Sequence, residues 1–162
     1  AVLGDMMGRS EGKAWRQGPL KKKRELAVLL RTIAGIPSLY LEAGAIHGCA
    51  LCLGSEPLLY VEDVGRHNAV DKIAGYMHLN NLSGADKIFF TTGRLTSEMV
   101  IKTVAMGVPI LVSRSGLTHW GVALAQQFGL TLIARAKGQR FTAVSGLDRL
   151  EFDTKDLKGL CQ

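Results

Sequence analysis

Apolar residues along this chain first follow a helical period and then alternate between strand and helix patterns. Spacings of three and four between Leu26 and Ile33 predict an amphipathic helix over residues 22–34, which Gly35 and Pro37 terminate. The later strands are predicted at residues 45–53, 58–62, 87–91, 109–113, 130–135 and 140–144, and the later helices at 68–77, 97–107 and 118–129.

This succession predicts an α/β fold, a three-layer α/β/α sandwich with helices on both faces of a mostly parallel sheet. The first two strands are joined by the turn GSEP and are expected to form an antiparallel hairpin at one edge. The strand at residues 140–144 is expected to lie at an edge as well. Because strand and helix alternate, ligands are expected at the carboxyl ends of the strands.

Length and composition predict one globular domain. The chain has 162 residues, of which 47% are hydrophobic and 21% charged, enough to bury one core. The expected organisation is a basic, mobile leading segment (1–21), a ligand-binding α/β domain (22–146) and a charged C-terminal tail (147–162). No apolar run reaches the length of a membrane span, and no secretory signal is recognisable. A cytoplasmic protein without membrane association is therefore predicted.

The net positive charge is concentrated at the start of the chain. The formal charge is +6, and residues 1–24 contain seven Lys and Arg against two acidic residues. A run such as GPLKKKRE is typical of a solvated segment entering a helix, with polyanion binding as the alternative. The rest of the protein is close to neutral, so we do not expect a nucleic-acid partner.

Three polar loops follow predicted strands, and each contains a glycine and an arginine. They are loop A (63–68, DVGRHN), loop B (91–98, TTGRLTSE) and loop C (113–119, SRSGLTH). In a parallel sheet they would share one rim beside helix N-termini, which favour anions. The candidate binding residues are Gly65, Arg66, His67, Asn68, Thr92, Gly93, Arg94, Ser113, Arg114, Ser115 and Thr118. Together they predict a site for a phosphate- or pyrophosphate-bearing ligand, although neither GxxxxGK[ST] nor GxGxxG is present.

His67 and Asp71 stand four residues apart at the start of a predicted helix. At this spacing their side chains are expected to face each other across one turn, which would orient the imidazole toward the rim. A histidine that only caps the helix or satisfies a polar position of the core is the alternative.

The three cysteines indicate free thiols rather than a disulfide framework. Cys49 and Cys52 have CxxC spacing, but residues three apart in a regular strand point to opposite faces, so the two thiols could jointly hold a metal or close a disulfide only if the strand were broken there. They are predicted to be buried hydrophobes, and a zinc site with His47 is the alternative. No metal is predicted and no catalytic residue is assigned, with Cys49 and Cys52 the candidates for a reactive thiol.

The segment EDVGRHNAVDKI resembles the signature of the formate dehydrogenase accessory sulfurtransferases, the FdhD-type family. The likeness continues through TTGRLTSEMVIKTVAMGVPILVSRSGLTHWGVALAQQFGLTLIAR and begins with EAGAIHGCAL. It spans roughly residues 38–145.

The resemblance implies a cytoplasmic protein that matures formate dehydrogenase. It would accept sulfur from a cysteine desulfurase as a persulfide and pass it to the molybdenum cofactor, a bis-pyranopterin guanine dinucleotide, before insertion into the apoenzyme. It also implies a cytidine deaminase-like main domain and a homodimer. The guanine nucleotide ends would be the ligand of the rim.

The sequence departs from the family pattern in one respect. The family carries its sulfur-transferring CxxC upstream, whereas residues 1–40 contain no cysteine, and the chain looks short of an N-terminal domain. Sulfurtransferase activity therefore stays open, and a cofactor-binding chaperone module is the alternative. A zinc-dependent nucleotide hydrolase is discouraged, because His47 is followed by Gly48 and Cys49 rather than by a proton-shuttling glutamate.

Overall fold

The computed structural model describes residues 21–152. Its first helix, α1 (Lys23–Ala34), buries Leu26, Leu29, Leu30 and Ile33, the apolar face that the sequence predicts. The helix ends at Gly35, whose N–H bonds to two carbonyls of the last turn. A short helix that the sequence did not predict, α2 (Leu39–Ala43), follows.

All the predicted strands and later helices are present, with their ends within two residues of the predicted ones. The strands are β1 (Lys21–Lys22), β2 (His47–Leu53), β3 (Glu56–Asp63), β4 (Lys87–Thr91), β5 (Ile110–Ser113), β6 (Thr131–Lys137), β7 (Arg140–Ser145) and β8 (Leu150–Glu151). The later helices are α3 (Arg66–Leu79), α4 (Ser97–Ala105) and α5 (His119–Phe128).

The main sheet has six strands in the order β3-β2-β4-β5-β6-β7. The central strands β4, β5 and β6 are parallel, whereas β2 is antiparallel to both β3 and β4, and β7 is antiparallel to β6. The strands β3, β4, β5 and β6 therefore run in one direction. The α/β class and the antiparallel hairpin at one edge are confirmed, and the opposite edge is antiparallel too.

Successive apolar residues of the central strands point to opposite faces of the sheet, and they are buried on both faces. On one face, the apolar residues of α1 pack against Ala50, Cys52, Ile88 and Phe90. On the other face, α3, α4 and α5 pack against residues such as Cys49. The central strands are therefore covered on both sides, as continuous apolar runs such as KIFFT predict.

Residues 147–152, which the sequence assigns to the C-terminal tail, pack against the domain. The strand β8 pairs with β1, and the buried Arg149 donates hydrogen bonds to the Gly129 carbonyl at 2.6 Å and to Thr131 Oγ1 at 3.1 Å. The predicted mobile segment up to residue 20, and residues 153–162, lie outside the described residues. From residue 21 to residue 152, no helix combines the length and apolar character needed to cross a membrane.

Candidate functional site

Loops A, B and C lie at the same edge of the sheet. They follow β3, β4 and β5, which point in the same direction although β2 separates the first two. Each loop leads into a helix, so the N-termini of α3, α4 and α5 converge there. The sequence predicted this shared rim, and the geometry suits anionic groups because helix N-termini carry free N–H groups.

Loops B and C are held together by hydrogen bonds. The buried Ser113 hydroxyl donates to the Gly93 carbonyl at 2.6 Å, and the Arg114 N–H donates to the Thr91 carbonyl at 3.1 Å. Farther along, the Leu95 N–H bonds to the Gly116 carbonyl at 2.9 Å. The two loops are therefore a rigid pair rather than independent turns.

Asp63 orders loop A. Its carboxylate accepts hydrogen bonds from Lys72 Nζ at 2.7 Å, the Gly65 N–H at 3.0 Å and Asn68 Nδ2 at 3.1 Å. These donors, Lys72 foremost, lower the pKa of Asp63 from 3.8 to about 2. Asp63 is thus an anion that fixes the backbone of loop A. It also accepts a hydrogen bond from the side-chain amide of Asn68, which the sequence predicted to bind the ligand.

Arg66 extends from loop A across loop B. A Cβ atom on Gly93 would lie 3.1 Å from both Cβ and Cδ of Arg66, so the glycine permits this close approach. His67 contacts loop B as well, because its Nε2 lies 3.0 Å from Glu98 Oε2. The expected pairing of His67 with Asp71 is therefore wrong. Asp71 instead pairs with Lys102 at 2.7 Å, since α4 lies beside α3 and offers nearer partners to both residues.

Three polar atoms between loops A and B are buried and have no hydrogen-bond partner within residues 21–152. They are Arg66 Nε, His67 Nδ1 and Thr96 Oγ1. Buried polar groups are nearly always paired, because each unpaired one costs about 1–3 kcal/mol. A cluster of three such atoms beside two helix N-termini is typical of a site that a polar ligand completes.

The other predicted binding residues divide into two groups. Ser113, Ser115 and Thr118 make hydrogen bonds within the loops, including the Thr118 cap of α5, whose Oγ1 accepts from the Gly121 N–H at 3.2 Å. Arg94 and Arg114 are exposed. The first group positions the loops, whereas the two exposed arginines extend the positive charge of the rim.

Thr92 of loop B bonds to the neighbouring strand β2 and reaches the side of the sheet that α1 covers. Its N–H bonds to the Gly48 carbonyl at 2.9 Å, and its Oγ1 accepts from the Gly48 N–H at 3.0 Å. Together with Arg114, Thr92 lines a cavity on the α1 side of the sheet.

The two candidate thiols are buried on opposite faces of β2. Cys49 belongs to the core under α3 to α5, and Cys52 to the core under α1, as strand alternation predicts. Burial raises the pKa of each thiol to about 12, although Cys49 Sγ also donates to Thr91 Oγ1 at 3.4 Å. Neither is a thiolate near neutral pH. The described residues also contain no group of three His, Cys, Asp or Glu side chains placed to hold a metal.

Sequence reasoning missed four residues of this region. From sequence, Thr96 and Glu98 look like ordinary residues at the start of a helix. Their part in the site is visible only once loop A is seen to lie beside them. Gly48 carried a weak signal, since a glycine inside an apolar strand often marks a place where another group approaches the backbone closely. Tyr60 is the group that does so. Here a Cβ atom on Gly48 would lie 2.1 Å from the Tyr60 hydroxyl oxygen.

An α/β domain with arginine-bearing loops at helix N-termini and unpaired buried polar atoms is typical of proteins that bind phosphorylated ligands. The chain belongs to the FdhD/NarQ family, which residues 5–151 match. The resemblance seen in the sequence is thereby confirmed.

The chain is similar to curated members of that family. It is 34% identical over 113 residues to the sulfur carrier protein FdhD of Wolinella succinogenes, covering 70% of this chain and 40% of that protein. It is also 34% identical over 109 residues to the sulfur carrier protein FdhD of Bacillus subtilis, covering 67% of this chain and 42% of that protein. The chain therefore spans about two fifths of the length of these relatives.

A solved structure shares the fold. The crystal structure of a protein assigned as a formate dehydrogenase accessory protein from Desulfotalea psychrophila superposes with a TM-score of 0.77 at 35% identity. The match covers 82% of this chain and 57% of that chain.

Proposed function

We propose that this chain acts in the maturation of formate dehydrogenase, in sulfur transfer from a cysteine desulfurase to the molybdenum cofactor. In this proposal, the described domain binds the bis-pyranopterin guanine dinucleotide as cargo, with a guanine nucleotide end at the rim. The names of its relatives, sulfur carrier protein and formate dehydrogenase accessory protein, support the pathway.

The observation that carries the binding role is the cluster of unpaired atoms between loops A and B. Arg66 Nε is a hydrogen-bond donor in every protonation state that proteins reach and has no partner within residues 21–152, so a ligand that pairs with it must offer an acceptor. His67 Nδ1 and Thr96 Oγ1 add two further polar atoms beside it. Phosphate oxygens are strong acceptors that arginine recognises well, and a threonine hydroxyl can donate to them too, so Arg66 and Thr96 fit the pyrophosphate of a nucleotide.

The buried thiols favour binding over sulfur chemistry for the described residues. Sulfur transfer needs an accessible thiolate, whereas Cys49 and Cys52 are buried and their pKa values are raised to about 12. This supports the second candidate function, a cofactor-binding chaperone module that holds the nucleotide and has no sulfurtransferase activity of its own.

The proposal also includes features that the family resemblance implies. They are a three-layer, cytidine deaminase-like architecture, a homodimer, a cytoplasmic location and an encounter with the formate dehydrogenase apoenzyme. The burial of apolar residues on both faces of the sheet supports the layered architecture.

Calorimetric titration with GDP tests the binding role. Arg66→Leu is expected to weaken GDP binding about tenfold or more, because a hydrogen bond to a charged group contributes about 1.5–3 kcal/mol. Arg24→Leu is the matched control, since Arg24 is an exposed arginine on α1. Equal GDP affinity in the Arg66 and Arg24 variants, or no GDP binding by the unmodified chain, would refute the assignment of the rim.

A further inference from the structure

Acidic and basic side chains are separated along the chain. Residues 35–98 contain seven acidic side chains against four lysines and arginines, whereas residues 99–147 contain five lysines and arginines and no acidic side chain. Three of those five, Arg135, Lys137 and Arg140, are exposed in the hairpin of β6 and β7. None of the three forms a salt bridge with a carboxylate within residues 21–152. The hairpin therefore presents positive charge that the domain itself does not neutralise.

Arg135 is held in an unfavourable backbone conformation. Its φ is 52°, in the left-handed region that glycine adopts readily and other residues rarely do. From Ala134 to Lys137, β6 advances three residues while its partner β7 advances two, so Arg135 lies in a β-bulge. Its N–H donates to the Ser115 carbonyl of loop C at 2.9 Å, which fixes the bulge beside that loop. Bulges redirect side chains and strained residues are concentrated at functional sites, so this conformation points to a use for the arginine.

An exposed tryptophan lies at the same end of the sheet. Trp120 is in the first turn of α5, which packs against β6 and β7, and 72% of its surface is exposed. Loop C leads into that turn, and Arg135 is bonded to loop C. Tryptophan and arginine are among the residues that most often contribute the affinity of protein interfaces. We call Trp120, Arg135, Lys137 and Arg140 the hairpin surface.

The hairpin surface is separate from the unpaired atoms between loops A and B. Loop A follows β3 at one edge of the six-stranded sheet, and the hairpin joins the last two strands at the other edge. Five strand spacings of about 4.8 Å place the two edges about 24 Å apart. A nucleotide end bound by Arg66 therefore leaves the hairpin surface accessible to a second partner.

We propose that the hairpin surface docks an acidic segment of another protein. Its three cations attract Asp and Glu side chains, and each arginine can pair with a carboxylate through two parallel hydrogen bonds. An apolar side chain of the same segment covers Trp120. The phosphate backbone of a nucleic acid duplex offers no such apolar group, so a protein partner fits this surface better. The inference concerns a partner, and it does not depend on the nucleotide assigned to the rim.

Selection of short random peptides, displayed on phage, against the full chain tests the inference. We expect the enriched peptides to be rich in Asp and Glu and to contain an aromatic or aliphatic residue. Fluorescence anisotropy then measures their affinity for the unmodified chain, for Arg135→Gln/Arg140→Gln and for Trp120→Ala. Arg24→Gln/Arg31→Gln is the matched control, because it removes the same charge from exposed positions of α1.

Arg135→Gln/Arg140→Gln and Trp120→Ala are each expected to weaken peptide binding about fivefold or more, whereas the control on α1 stays within about twofold. Arg135→Gly is expected to weaken binding too and to raise Tm, because glycine relieves the strain of the left-handed conformation. A lower Tm in Arg135→Gly would show that the side chain is structural and would count against the inference.

Three other results would overturn the inference. They are a selection that enriches no acidic peptide, equal peptide affinity in the hairpin and α1 variants, and tighter binding of a single-stranded RNA than of the peptides. Self-association that Arg135→Gln/Arg140→Gln abolishes would instead assign the surface to a second copy of this chain, against the inference. If the unmodified chain binds the peptides as expected but does not bind GDP, only the proposed function fails.

Discussion

Replacing Gly48 by alanine tests the packing that joins the rim to the cavity. Gly48 is a buried residue of β2, and a Cβ atom there would lie 2.1 Å from the Tyr60 hydroxyl oxygen and 2.7 Å from Tyr60 Cζ. Real Cβ contacts are never that short, so the end of the Tyr60 ring must move away. We expect this movement to break the hydrogen bond from the Tyr60 hydroxyl to Glu62 Oε1, which is 3.1 Å long.

The expected cost follows from that lost hydrogen bond. A hydrogen bond to a charged group contributes about 1.5–3 kcal/mol, whereas replacing a strand glycine by alanine recovers about 0.5–1 kcal/mol of backbone entropy. We therefore expect Gly48→Ala to lower the free energy of unfolding by about 1–2 kcal/mol. For a domain of this size, that lowers Tm by roughly 3–8 °C.

Urea and thermal unfolding measure this change, and Gly75→Ala is the control. Gly75 is an exposed residue of α3, and nothing lies within 4 Å of the place where its Cβ would be. Alanine is favoured over glycine in helices by about 1 kcal/mol, so Gly75→Ala is expected to stabilise the domain. The two substitutions should therefore have opposite signs. A Gly48→Ala protein as stable as the unmodified chain would refute the packing of Tyr60 over Gly48.

Two further predictions concern titratable groups. The pKa of Asp63 is lowered from 3.8 to about 2, so its stabilising contacts are complete above about pH 4 and are lost as the pH falls toward 2. The difference in unfolding free energy between the unmodified chain and Asp63→Asn should shrink over that interval, and a difference independent of pH would contradict the assigned contacts. Burial raises the pKa of Cys49 and Cys52 to about 12, so in a Cys161→Ser background we expect a disulfide reagent at pH 8 to label neither thiol until urea unfolds the chain. Rapid labelling of the folded protein would make a sulfur-carrying role for these cysteines tenable.

Sequence periodicity predicted the elements of this fold well, because its signals are local. The apolar face of α1 and the continuous apolar run of β4 follow from the spacing of residues within one element. Strand alternation also placed Cys49 and Cys52 on opposite faces of β2 correctly. The helix α2 was missed because five residues leave too little sequence for a period to register.

The candidate site was predictable in position and only partly in composition. Loops A, B and C were placed at one edge because strand direction alone determines where parallel strands end. Which side chains contact each other within the site was harder to predict. His67 was expected to contact Asp71 in its own helix, but it contacts Glu98 of α4. That contact depends on how two helices pack against each other, which no local spacing encodes.

The sequence by itself determined the order of strands and helices, the shared rim and the family, since these follow from spacing within each element, from strand direction and from contiguous motifs. Only the tertiary structure decided that Arg66 Nε, His67 Nδ1 and Thr96 Oγ1 have no hydrogen-bond partner among residues 21–152, and that Gly48 accommodates Tyr60. Such facts concern atoms that meet across elements, and whether a polar atom is paired depends on everything that surrounds it. The physical reason is that hydrogen bonding and close packing act over a few ångströms in space, whatever the separation along the chain.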